Sequence, residues 1–214
     1  MTRGTWDLDD YRNLLEAIAA GGYRYAWFGD GPEPRQLFLR HDVDLTLDAA
    51  LRMAELEASL DVTATYFLMT ESVFYNLASS EGVEVIARLR ELGHRVGLHA
   101  VYPNATLDDR FEPVVAWHNP EPEYMSAPIP GAINVMEEQY FSPATYRSDS
   151  NQRWRMGDPR DELAGGGFRW LQLLVHPEIW AYEGATMGLT MRTMLNAEKQ
   201  RRLDQLPGDK IDLS

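Results

Sequence analysis

Residues 36–44 read Gln36-Leu37-Phe38-Leu39-Arg40-His41-Asp42-Val43-Asp44, a short apolar run that ends in a cluster of ionisable groups. A run of that length reads as a buried strand, Gln36–Arg40, with polar residues marking its carboxyl end. The pattern recurs downstream: Arg95-Val96-Gly97-Leu98 precedes His99, Pro113–Trp117 precedes His118, and Trp170–Val175 precedes His176. Thr63–Leu68 is β-branched and aromatic and predicts a further strand. Helical patterns lie between. Asp9-Asp10 predicts a cap for a helix over Tyr11–Ala20; Leu45–Leu60 carries apolar residues at helical spacing; Val83–Leu92 does the same and stops at Gly93. Strands alternating with helices imply parallel βαβ units. In such a fold the carboxyl ends of the strands share one face, where active sites lie. Four strand ends here deliver Asp or His to that face.

The chain has 214 residues, expected to form one domain over 1–214. A closed (β/α) barrel takes about 250 residues, so the expected fold is α/β, a deformed, shortened (β/α) barrel. The proline-rich stretch from Asn119 to Gln139 is expected to be a loop over one end of the sheet. Met1–Asp7 shows no apolar segment of a secretory signal, and no run approaches the ~18 apolar residues of a membrane span. The expected location is therefore cytoplasmic, with no membrane partner. A net charge of −13 argues against nucleic acid as a partner. Cysteine is absent, which excludes thiolate chemistry and cysteine metal sites. Any metal must be held by His, Asp and Glu, and there are five histidines. Asp with His is the ligand set of a catalytic zinc-type site that keeps one position open for water.

At these residues the chain resembles the NodB-homology, or polysaccharide deacetylase, superfamily (carbohydrate esterase family four), and in particular a divergent branch with an Arg-His-Asp-Val-Asp motif. Leu39-Arg40-His41-Asp42-Val43-Asp44 is similar to its first motif. Val62–Leu68 is similar to its Ala-Thr-Phe-Phe strand, Leu92–His99 to its Gly-His-x-x-Gly-x-His stretch, and Leu173–Pro177 to its last motif. The resemblance implies a deformed barrel that hydrolyses an acetamide with a divalent metal, Zn2+ by default. It implies Asp42 as catalytic base, His176 as general acid and His99 as metal ligand. An ungapped comparison puts Val43 where the metal aspartate belongs, so Asp44 fills that role only if the turn is rearranged. The family's second metal histidine falls on Pro103, which cannot ligate; His118, at the next strand end, is the expected substitute.

Tyr146–Ser150 stands where an arginine motif is expected, making Arg147 and Asp149 candidate support or substrate residues. His41 either orients the site or packs. His94, at the far end of its strand, is expected to be structural, Trp154 and Trp170 to belong to the core, and Arg201-Arg202 to lie on a solvated face. The expected activity is removal of an acetyl group from an N-acetylated amino sugar or similar small amide, an intracellular precursor. Two other readings stand beside it: metal-independent hydrolysis of a cyclic amide or ureide by Asp42, His99 and His176, and a non-catalytic barrel that binds a sugar or protein.

Overall fold

The computed structural model describes residues 5–206; Met1–Gly4, part of the segment read above for a secretory signal, lie outside them. Among the described residues, eight strands, β1 Arg24–Tyr25, β2 Gln36–Val43, β3 Thr65–Leu68, β4 Arg95–Ala100, β5 Val114–Trp117, β6 Ile133–Asn134, β7 Tyr146–Ser148 and β8 Leu171–Val175, form one sheet. The order is β6-β5-β4-β3-β2-β8-β7, with β1 beside the start of β2, and every pairing is parallel. The helices are α1 Leu8–Ala20, α2 Leu47–Ala58, α3 Ser80–Glu91, α4 Arg160–Ala164, α5 Pro177–Ala181 and α6 Met187–Asp204. None of the described helices is long and apolar enough to cross a membrane.

The helix ends follow local chemistry. Asp7, rather than Asp9 or Asp10, caps α1 by accepting the Asp10 N–H, and the other two acids sit in the first turn, where helix polarity favours negative charge. Thr46 caps α2 and Ser79 caps α3 in the same manner. Strand β2 runs to Val43, three residues past its expected end, so His41 and Asp42 lie within it. The stretch 119–139 is more than a loop: its Ile133-Asn134 pairs with β5 as an edge strand.

The sheet is curled into a shortened barrel that does not close. In a flat sheet, β6 and β8 would stand five strand spacings apart, about 24 Å. Yet the Gln172 side chain on β8 donates from Nε2 to the carbonyl of Val135, next after β6, at 2.9 Å, and to that of Tyr140 at 2.8 Å. Strong curvature is what brings them together. Alternation along β2 then divides its side chains. Phe38, Arg40 and Asp42 point into the barrel, where Phe38 meets Phe28, Tyr140 and Trp170. His41 points out to the helices.

The outer face holds a buried polar knot. Glu57 of α2 is wholly buried; it accepts from the Tyr11 hydroxyl and, at 2.7 Å, from the Tyr66 hydroxyl, while His41 Nε2 lies 2.7 Å from it. His41 Nδ1 faces the Val175 carbonyl at 3.2 Å, so both ring nitrogens face oxygen acceptors. Burial alone would raise the Glu57 carboxyl, but His41 and the other donors hold it below the usual carboxylate range. His94 is structural: Nδ1 accepts the Ala64 N–H and Nε2 donates to the Ala54 carbonyl. Arg201, expected in solvent, instead pairs with Glu81 and ties α6 to α3.

Inside the barrel, the Arg40 guanidinium lies over the Phe67 ring, 5.6 Å from its centroid, and Phe67 in turn lies against Gly97. A Cβ at Gly97 would stand 2.6 Å from the ring and 2.9 Å from Val114. Gly97→Ala should therefore cost about 1–3 kcal/mol by overpacking, read as a lower urea midpoint. Glu57→Gln removes the carboxylate from a buried charged knot, and urea unfolding should show a loss of about 3–5 kcal/mol.

Candidate active site

Three strands deliver three donors to one point at the barrel's carboxyl mouth. Asp44 follows β2, His99 lies near the end of β4, and His118 follows β5. His99 Nε2 is 3.1 Å from Asp44 Oδ1 and 3.1 Å from His118 Nδ1, and the triangle closes with His118 Nδ1 3.4 Å from Asp44 Oδ1. Asp44 reaches this position by ordinary strand alternation. It lies two residues beyond Asp42 and so faces the same side, and no rearranged turn is needed. Pro103 lies in the loop after β4, and the third donor comes from β5 instead.

The donor chemistry fits a divalent ion. Ligands of a tetrahedral zinc at 2.0–2.1 Å stand about 3.3 Å from one another, close to the three edges observed. His99 faces the Ala116 carbonyl with Nδ1 at 3.0 Å, which fixes its N–H there and leaves an Nε2 lone pair toward the other two groups. Asp44 Oδ1 is buried and accepts no well-formed hydrogen bond. Burial would raise this carboxyl, yet the facing His118 and His99 pull it far below its ordinary value. His118 is raised in turn, chiefly by Asp44. Lone pairs of Asp44 and His99 and the Nδ1 of His118 thus converge on one point, where a shared proton or a cation would sit between them.

Asp42 stands beside this triangle, with Oδ2 3.7 Å from His99 Nε2. Arg40, two residues earlier on the same face of β2, grips it with two parallel bonds, Nε to Oδ1 at 2.7 Å and Nη2 to Oδ2 at 2.6 Å. Burial pushes the Asp42 carboxyl up, but Arg40 and then His99 bring it below the usual range. Gln172 orients Arg40 from the far side at 3.3 Å.

Across the cleft, His176 follows β8. Its Nδ1 lies 2.6 Å from Asp149 Oδ1, and its own N–H and the Trp180 indole N–H also donate to that carboxylate. Asp149 is fully buried and holds the ring so that Nε2 is left to the cleft. Burial would lower the imidazole, but the charge of Asp149 outweighs it and pushes His176 up to about 10. Two cavities, of about 420 and 440 Å³, meet along Asp44, His118 and His176.

Asp42, Asp44, His99, His118 and His176 thus share one cleft, with Asp149 buried behind His176. Two candidates do not. Arg147 points to the outside of β7, donating to the Pro143 and Tyr146 carbonyls and lying over Phe168, because its neighbours Tyr146 and Ser148 take the inward positions. His41 belongs to the Glu57 knot on the opposite face of the sheet. Arg40 and Glu178 were missed. The strand alternation that puts Arg40 beside Asp42 was available as a signal, whereas nothing in the local pattern marks Glu178 as buried.

The Asp149–His176 pair has a definite pH signature. A folded value of about 10, above the ordinary 6.5, gives stability that is complete below pH 6.5 and is lost as pH rises through about 10. The difference in urea midpoint between wild type and His176→Gln should therefore shrink from pH 6 to pH 10.5, measured with chelator present.

No family model matches this chain, and no curated protein does. Among solved structures it is similar to a peptidoglycan deacetylase of Bdellovibrio bacteriovorus, at 16% identity and a TM-score of 0.36, over 86% of this chain and 54% of that one. The chain spans about half the length of that protein.

Proposed function

We propose that this chain is a metal-dependent amide hydrolase that removes an acetyl group from an N-acetylated amino sugar or similar small amide. One observation carries the proposal. The donor atoms of Asp44, His99 and His118 converge in a cleft they share with two differently tuned groups, Asp42, which Arg40 holds below the usual carboxylate range, and His176, which Asp149 holds above the usual imidazole range. Groups pushed apart in this way divide into base and acid. The resemblance of residues 39–44 and 92–99 to deacetylase motifs supports the same assignment.

Asp44, His99 and His118 would hold the ion, with Zn2+ matching the ligand types. A divalent ion there supplies Lewis acidity, polarising a carbonyl and acidifying a water. Asp42 takes the proton of the attacking water. Arg40 keeps that carboxylate charged and fixed in place. His176 brings a proton to the departing nitrogen, and Asp149 holds its ring in the donating orientation.

Metal analysis of the purified protein and acetate release from a panel of N-acetylated amino sugars test this directly. His99→Ala should lose both metal and turnover. Asp42→Asn should retain the metal while turnover falls about 10²–10⁴-fold. Full activity in either variant, or in chelated protein, removes the proposal.

A further inference from the structure

The two cavities that meet at His176 differ in charge. One contains Arg40 and Arg155 alongside Asp42 and Asp44. The other, of about 420 Å³, has no lysine or arginine; besides His118 and His176, its titratable groups are Asp44, Glu71 and Glu178. Apart from Ser72 and the polar seam it shares with the other cavity (Asn119, Ser150 and Asn151), the rest of its wall is apolar, and part of it stands in solvent: Val73 is 90% exposed, Phe74 50% and Val101 45%, with Met187 beside them. Side chains of this kind, grouped at the mouth of a cavity, mark a binding surface.

Glu178 stands out within that wall. It is 1% exposed, and its Oε2 is buried without a hydrogen-bond partner. Buried polar atoms are almost always partnered, and one facing a cavity is a place for a ligand's donor. Burial pushes this carboxyl up to about 8, with His176 pulling it down and Asp44 pushing it further up. It therefore tends to hold its proton near neutrality, and a ligand bringing positive charge would ionise it.

We propose that this cavity is the subsite for the amine-bearing part of the substrate, taking an apolar-bodied primary amine whose nitrogen is held by Glu178, with Glu71 at the rim. The substrate class is then an N-acyl derivative of an amphiphilic amine rather than a uniformly polar glycan. This inference rests on the amide-hydrolase reading for the word substrate, but the binding it requires does not depend on turnover. The amine released by hydrolysis is the product that an acidic, apolar chamber beside His176 would retain longest.

Calorimetry on the full chain, with chelator present to prevent coordination to metal and at 0.15 M salt, would compare n-hexylamine with hexanoate. Hexylamine should bind at a single site and about tenfold or more tighter than hexanoate. Glu178→Gln keeps the shape of the side chain and should weaken hexylamine about tenfold, the value of one charge-assisted hydrogen bond. Glu71→Gln lies on the surface, cannot threaten the fold, and should weaken it by a smaller factor. Equal binding of the two ligands, or unchanged affinity in Glu178→Gln, overturns the subsite. Glu178-dependent amine binding in a protein that releases no acetate would leave the subsite standing and remove the deacetylase reading. Acetate release without such binding would do the reverse.

Discussion

Strand β2 carries buried ionisable side chains on both of its faces, and the rest of the molecule is arranged to accommodate them. Arg40 and Asp42 point into the barrel, while His41 between them points out to the helices. Burying any of these alone would be prohibitive, so each has a partner fixed by the fold. Inside, the partners are each other and Gln172; outside, they are Glu57 and the carbonyl of Val175. A register slip of one residue would exchange the faces and strand every one of these polar groups at once. The pairing of β2 with β3 and β8 is therefore specified by electrostatics as well as by hydrophobic fit.

The candidate site inherits this rigidity. Gly97 leaves room for the Phe67 ring, Phe67 supports the Arg40 guanidinium, and Arg40 holds Asp42 beside His99. Asp149 performs the same service for His176 from the other side of the cleft. The functional groups thus stand on strands or immediately after them, and their supports come from elements distant in sequence. Such an arrangement limits reorganisation when charge develops, the condition under which fixed dipoles and ions act most strongly.

Much of this was legible in the chain. Strand-end logic placed Asp42, Asp44, His99, His118 and His176 at one mouth, and the absence of cysteine narrowed the ligand types. What escaped were facts of pairing across long separations. Glu57 sits on a helix that otherwise follows an amphipathic pattern, and nothing local shows that two tyrosines and a histidine from other elements surround it. Arg147 and Asp149 are grouped in the sequence because their stretch stands where an arginine motif is expected, but Arg147 points outward within β7 whereas Asp149 lies past the end of the strand, where it meets His176. Asp44 was expected to need a rearranged turn because comparison by position ignores the period of two that aligns it with Asp42. The proline-rich stretch concealed β6, since a two-residue strand leaves almost no periodic trace.

An incomplete barrel leaves two open edges, and open edges invite other chains to add strands. Here β6 is two residues long and β7 three, so each offers barely one rung of a ladder. The long strands β2, β4 and β8 are all flanked by neighbours. Leaving the barrel open widens the mouth of the cleft, and the short border strands let it do so without presenting a template for edge-to-edge association.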